Sequence, residues 1–134
     1  MNLDTPVRAL MTSDVLTVDK GASLSDAWTE MLNGGFRHLP VVDGGELVGM
    51  LAASDLLAEV KHLPGALRDT GFVPDDRSVG EAMSGTVVSV GVDDPVRAAL
   101  EHFAGGHLHA LPVVAGRRLV GIFTTADLAR ALLR

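Results

Sequence analysis

Cysteine is absent from the 134 residues, and aromatic residues are scarce, with one tryptophan, four phenylalanines and no tyrosine. Without cysteine the chain can form neither disulfides nor thiolate metal sites, which fits a reducing cytoplasm. No apolar run approaches the roughly 18 residues that a membrane-spanning helix needs, and the N-terminus does not resemble a signal peptide. We therefore expect a cytoplasmic protein that does not interact with a membrane.

Positive charge is also in short supply. Eleven lysines and arginines are set against 17 aspartates and glutamates, which gives a net charge of −6. Because nucleic-acid binding depends on neutralising phosphates, we do not expect this acidic chain to bind nucleic acid. Hydrophobic residues make up 47% of the chain, so it is expected to fold into a globular structure.

What the sequence does contain is a duplication. The segment LPVVDGGELVGMLAASDL (39–56) returns as LPVVAGRRLVGIFTTADL (111–128). A constant offset of 72 positions (112 − 40) separates three pairs of anchor residues: Pro40 and Pro112, Gly49 and Gly121, and Asp55 and Asp127. A constant offset indicates a tandem repeat without internal insertions. We place repeat 1 at residues 1–62, a connector at 63–78 and repeat 2 at 79–134.

The patterning of each repeat predicts the order β-α-β-β-α. In repeat 1 we predict, in order, a short helix from Thr5-Pro6 to about Met11, a strand at Val15–Val18, a helix capped by Ser23 and ended by Gly34-Gly35, a hairpin of Arg37–Val42 and Glu46–Ala52, and a helix capped by Ser54. Repeat 2 is predicted to copy this order, with a strand at Thr86–Val90, and the connector to hold one helical turn near Ala66. Each repeat alone leaves an apolar sheet face uncovered. We therefore expect an α/β (α+β) fold of two repeats packed sheet to sheet, with pseudo-two-fold symmetry and clefts between them.

Each repeat places an aspartate where its last strand ends and its last helix begins. Thr124 and Asp127 lie at this position in repeat 2, and Ala52 and Asp55 in repeat 1. The free N–H groups of a first helical turn favour an anion, and a carboxylate can accept both hydroxyls of a cis-diol. The structural alternative is that the aspartates are helix N-terminal acids, with Thr124 and Thr125 as strand end and N-cap.

The repeated segment resembles the tandem CBS-domain pair, also called the Bateman module. The similarity covers nearly the whole chain and is carried by three features: the two Leu-Pro-Val-Val runs, the motifs Gly49-x-x-Ala52-x-x-Asp55 and Gly121-x-x-Thr124-x-x-Asp127, and Met11 and Met83 ahead of each first strand. The resemblance implies a stand-alone regulatory module that binds AMP, ADP, ATP or S-adenosylmethionine and requires no cofactor. It also implies a homodimer and a regulated protein whose identity the sequence does not give.

The resemblance further implies roles for individual residues. The aspartate of each motif binds the ribose hydroxyls, the Thr/Ser hydroxyl and the helix N-terminus meet the phosphates, and the adenine lies between apolar strand residues. Basic residues just before the Leu-Pro-Val-Val strand reach the phosphates in relatives. The candidate ligand-binding residues are Asp127, Thr124, Gly121, His109, Asp55, Arg37, His38, Thr17 and Val18.

Repeat 1 departs from the motif, because Ala52 stands where a serine or threonine is expected. The loss of one hydrogen bond to a charged group weakens binding by about tenfold to a hundredfold. We therefore expect the Asp127 site to bind more tightly than the Asp55 site. This departure and the acidic charge also support an alternative function, that of a ligand-free dimerisation or partner-docking scaffold.

Metal binding and catalysis are both weakly supported. His107 and His109 would point to one side of a strand, where His38 could join them around a metal, but no further ligand lies at a supporting spacing. The sequence has no G-x-S-x-G nucleophile motif and no Walker-type loop. Asp55 and Asp127 would lie in separate clefts and would not form an acid–base pair. We expect neither a metal site nor an enzyme.

Overall fold

The computed structural model describes residues 1–60 and 77–134, and the chain divides into two compact units. The first, which we call the continuous unit, is Leu16–Val87, and the second, which we call the split unit, combines Met1–Val15 with Val88–Arg134. The segment that precedes the first strand of repeat 1 (Met1–Val15) therefore belongs to the split unit. The corresponding segment of repeat 2 (79–87) belongs to the continuous unit. The helical turn predicted near Ala66 lies outside the described residues.

The continuous unit contains a three-stranded mixed sheet. Its elements are β1 (Val18–Asp19), α1 (Leu24–Gly34), β2 (His38–Asp43), β3 (Glu46–Ala52) and α2 (Ala53–Val60), followed by the helical turn α3 (Val79–Ala82). Strand β2 pairs parallel with β1 and antiparallel with β3. The order predicted for repeat 1 is confirmed from β1 to α2.

The split unit repeats this arrangement. A 3-10 helical turn (Val7–Ala9) comes first, and then β4 (Val90–Gly91), α4 (Val96–Ala104), β5 (Ala110–Ala115), β6 (Arg118–Thr124) and α5 (Thr125–Leu132). Strand β5 pairs parallel with β4 and antiparallel with β6. The predicted α/β class is confirmed, with one β-α-β-β-α set in each unit.

Helix α1 shows how local sequence sets an element. The Ser23 hydroxyl accepts a hydrogen bond from the Asp26 N–H at 3.1 Å, which satisfies one free donor of the first turn. Leu24, Ala27 and Met31 are buried, and their spacing keeps them on one face of a helix. Gly35 ends the helix with φ +69°, a left-handed conformation that glycine adopts without strain.

Each unit has its own apolar core. Leu39, Val41 and Leu51 of the β2–β3 hairpin are buried in the continuous unit. Leu111, Val113 and Phe123 are their counterparts in the split unit, where the Phe123 ring stacks on that of Phe103 with centroids 5.8 Å apart. Within the described residues no helix is both long enough and apolar enough to cross a membrane.

The segments ahead of the first strands differ from the predictions. The strand predicted at Val15–Val18 is the two-residue β1, and the strand predicted at Thr86–Val90 is the two-residue β4. The helix predicted to reach Met11 is only the Val7–Ala9 turn. The reason is that the chain then extends beside β6, where Thr12 and Ile122 exchange two backbone hydrogen bonds of 2.8 Å.

Two predicted helix caps are also displaced. Helix α2 begins at Ala53, so Ser54 lies inside the first turn and is not the cap. The residue before the helix is Ala52, whose side chain cannot cap, and the Asp55 carboxylate reaches back to accept the Ala52 N–H at 2.7 Å. In the other unit the N-cap is Thr124, whereas Thr125 is the first helical residue.

Candidate functional site

The strand-to-helix corner of the split unit is built around the buried carboxylate of Asp127, whose side chain is 3% exposed. Its Oδ2 accepts the Thr124 backbone N–H at 2.9 Å and the Thr124 hydroxyl at 3.1 Å. The Asp127 N–H in turn donates to Thr124 Oγ1 at 3.1 Å. This reciprocal pair is a capping box, so both side chains have the structural role that the sequence left open.

The other carboxylate oxygen is occupied as well. Asp127 Oδ1 accepts the Thr12 hydroxyl at 2.9 Å and also the Arg130 guanidinium. A carboxylate has room for about four hydrogen bonds. The protein itself therefore supplies a full set of donors to this oxygen pair.

Thr12 was not among the candidates, and it reaches Asp127 because its backbone lies against β6. Gly121 permits this approach. A Cβ added at Gly121 would lie 2.6 Å from the Met11 Sδ and 2.9 Å from the Thr12 carbonyl oxygen. The structure thus gives Gly121 a packing role, that of admitting the 11–12 backbone. The recurrence of Met11 at Met83 was the signal for this segment, but it did not reveal where the segment packs.

His109 lies at the same corner. Its carbonyl accepts the Thr125 N–H at 3.0 Å, and the next residue, Ala110, pairs with Thr124 across the β5–β6 hairpin. The His109 residue is exposed. An exposed imidazole beside a helix N-terminus is suited to contact an anionic group.

The equivalent corner of the continuous unit brings together three candidates. Asp55 is half-buried at the start of α2. The Arg37 carbonyl accepts the Ala53 N–H at 2.8 Å, and His38 pairs directly with Ala52 in the hairpin register. Both basic residues are exposed. The hairpin register therefore places both basic residues beside the start of α2, and their contact with phosphate stays a prediction.

The two corners differ in what holds the carboxylate. Ser84, the counterpart of Thr12, exchanges 3.0 Å backbone hydrogen bonds with Met50, but its hydroxyl donates to the Thr86 carbonyl at 3.4 Å. Ala58 stands at the position that corresponds to Arg130. Among the residues that the structure describes, the donor to the Asp55 carboxylate is the Ala52 N–H.

Thr17 and Val18 lie in the continuous unit. Val18 pairs with Val41, and its residue is 6% exposed within the core. Thr17 directly precedes β1 and is half-buried. The nine candidates therefore fall into two groups: Gly121, Thr124, Asp127 and His109 in the split unit, and Thr17, Val18, Arg37, His38 and Asp55 in the continuous unit.

The histidines of the alternative metal site are divided between the two units. His107 and His109 are exposed residues of the split unit, whereas His38 belongs to the continuous unit. Across residues 1–60 and 77–134 no group of three or more His, Cys, Asp or Glu side chains is arranged to hold a metal ion.

Comparison with protein families identifies this architecture. The model of the CBS domain matches residues 7–62 and residues 79–134. The chain belongs to the CBS-domain family. The match confirms the resemblance to a tandem CBS pair and covers both repeats. CBS domains are non-catalytic regulatory modules, which agrees with the expectation that this pair is not an enzyme.

Among curated proteins, the chain is similar to the CBS domain-containing protein YhcV of Bacillus subtilis. The two are 32% identical over 124 residues, which cover 92% of this chain and 82% of YhcV. The chain is also 28% identical over 130 residues to a homoserine O-acetyltransferase of Methanohalobium evestigatum, covering 96% of this chain but only 24% of that protein. It likewise spans 13% of an A-adding tRNA nucleotidyltransferase of Geobacter sulfurreducens.

Two similar structures were solved with adenosine-containing molecules. CBSX2 in complex with AMP has a TM-score of 0.77 and 28% identity, with 96% of each chain covered. The CBS pair of MJ0100, in complex with 5′-methylthioadenosine and S-adenosyl-L-methionine, has a TM-score of 0.72 and 25% identity, with 96% of this chain and 95% of that chain covered. These ligands are properties of those proteins.

Proposed function

We propose that this CBS pair is a regulatory module that binds AMP, ADP, ATP or S-adenosylmethionine through the corners at Asp127 and Asp55. The observation that carries the proposal is the pair of equivalent strand-to-helix corners, each with a carboxylate in the first turn of a helix and exposed basic residues beside it. The adenosyl ligands of CBSX2 and MJ0100 support the choice of ligand class.

The chemistry of each corner matches a different part of such a ligand. A ribose diol offers two hydroxyl donors, which a carboxylate accepts. A phosphate is attracted by the first-turn N–H groups and by cations. Arg37 is the strongest phosphate candidate because its guanidinium is always charged and can bind two oxygens at once. His38 and His109 complete the candidate phosphate contacts.

The preference for the Asp127 site over the Asp55 site stays a prediction. It rests on the Thr124 hydroxyl, which Ala52 lacks. In the structure that hydroxyl donates to Asp127 at 3.1 Å, so it must turn away before it can donate to a phosphate. The two sites therefore need to be measured separately.

Ligand binding regulates only if it favours one conformation of the module over another. We propose that an unidentified regulated protein reads this population shift, in the cytoplasm, without any cofactor. The CBS pair itself would carry out no chemistry on the ligand.

Calorimetric titration with AMP, ADP, ATP and S-adenosylmethionine tests the proposal. Asp127→Asn and Asp55→Asn each keep an oxygen that can cap the helix, but remove the charge. Each variant should weaken binding at its own site by about tenfold or more. Asp26→Asn is the matched control, since Asp26 is an exposed acid in the first turn of α1. Absence of heat and of a melting shift with all four ligands would contradict the proposal, as would an equal loss in the control.

A homodimeric scaffold is the second candidate, and exposed leucines favour it. Leu32 of α1 and Leu57 of α2 are 63% and 53% exposed in the continuous unit, and Leu132 of α5 is 63% exposed in the split unit. Large apolar side chains that are exposed to water are typical of protein interfaces when they cluster. Light scattering should then report a dimer that Leu57→Glu weakens. A monomer at working concentration would argue against this candidate.

A further inference from the structure

The Asp127 carboxylate accepts four hydrogen bonds from the protein, so neither of its oxygens has a free position for a ribose hydroxyl. We propose that Arg130 is a built-in competitor of the diol, so that a ligand reaches Asp127 only when the guanidinium leaves. This inference rests on the proposed function, because it concerns how the same carboxylate is regulated. It makes Arg130 a residue that sets affinity at this site.

Arg130 is the donor that can leave without disturbing the fold. The Thr124 N–H and hydroxyl belong to the capping box where β6 passes into α5. The Thr12 hydroxyl is fixed by a backbone that is hydrogen-bonded in both directions to Ile122. Arg130, by contrast, lies three residues beyond Asp127 on the helix, and its side chain is 64% exposed. Rotation about its side-chain bonds alone can free one acceptor position on Asp127 Oδ1 for a ribose hydroxyl.

The size of the competition follows from this exposure. Because solvent screens the guanidinium, the free energy of the Arg130–Asp127 ion pair falls in the range measured for exposed ion pairs, even though Asp127 itself is buried. That range corresponds to at most about a fivefold change in affinity for whatever displaces the arginine.

The continuous unit supplies an internal comparison. Ala58 occupies the position that corresponds to Arg130, is exposed, and lies three residues beyond Asp55 on α2. No arginine can therefore compete for Asp55 from that position. An arginine introduced at residue 58 should create the competition that the split unit has by nature.

The experiment uses adenosine as the probe, because an uncharged ligand does not respond to the loss of a positive charge near a phosphate. In an Asp55→Asn background, which isolates the Asp127 site, Arg130→Met should bind adenosine up to about fivefold more tightly. Arg130→Gln, which keeps one donor, should fall in between. In an Asp127→Asn background, Ala58→Arg should weaken adenosine binding by a similar factor.

Arg134→Met removes a charge just beyond the same helix and should leave adenosine affinity unchanged. Unaltered or weaker binding by Arg130→Met, with thermal unfolding showing an intact fold, would overturn the inference while leaving the proposed function in place. Absence of adenosine and AMP binding in every variant and in the wild-type protein would overturn both.

Discussion

The hydrogen bond from Thr12 to Asp127 allows the account of the split unit to be tested through stability alone. The Thr12→Val variant keeps the shape of the side chain and removes the hydroxyl, which donates at 2.9 Å to a carboxylate that is 3% exposed. A hydrogen bond to a charged group contributes about 1.5–3 kcal/mol, and its loss leaves part of a buried carboxylate unpaired. We expect the free energy of unfolding to fall by about that amount.

Urea unfolding measures this change, and Ser84→Ala is the matched control. Ser84 occupies the corresponding position in the continuous unit, but it is exposed and its hydroxyl donates to the Thr86 carbonyl at 3.4 Å. Its loss should change the unfolding free energy by less than about 0.5 kcal/mol. Thr12→Ser should recover most of the stability lost by Thr12→Val. Equal losses of unfolding free energy in Thr12→Val and Ser84→Ala would refute the conclusion that the Thr12 hydroxyl stabilises the Asp127 carboxylate.

Two further predictions concern packing in the split unit. Gly121→Ala should destabilise the protein by about 1–3 kcal/mol, because its new methyl group meets the Thr12 carbonyl 2.9 Å away and backbone cannot yield cheaply. Gly85→Ala, which meets no atom within 4 Å, is the control, and thermal unfolding should separate the two. Phe123→Ala should cost about 3–5 kcal/mol, because the ring is fully buried, whereas Phe36→Ala, at a residue 48% exposed, should cost far less in the same assay.

Local patterns in the sequence predicted much of each unit. Ser23 and Gly35 set the ends of α1 through contacts with residues a few positions away, so the sequence carries that information directly. The hairpin turn is similar, with Gly44 and Gly45 at φ +59° and +84°, where glycine is unstrained. The repeat spacing also predicted that Asp55 and Asp127 lie where a strand passes into a helix.

The contacts of Thr12 could not be found in this way. Thr12 and Asp127 are 115 positions apart, and the composition of the first segment gives no sign that it belongs with the second repeat. The cap at α2 was missed for a different reason. A serine such as Ser54 caps a helix better than an alanine does. The β2–β3 register nevertheless ends the strand at Ala52, and the Asp55 carboxylate accepts the Ala52 N–H. In both cases tertiary packing decides between local choices that look equally good in the sequence.

Calorimetric titration of AMP against 2′,3′-dideoxyadenosine monophosphate tests most directly whether a carboxylate of this CBS pair binds a ribose diol. The two ligands share the base and the phosphate and differ only in the two hydroxyls. We predict that AMP binds and that the dideoxy compound binds at least about tenfold more weakly, as the loss of hydrogen bonds to a charged group requires. Equal affinities, or no binding of AMP, would contradict the account.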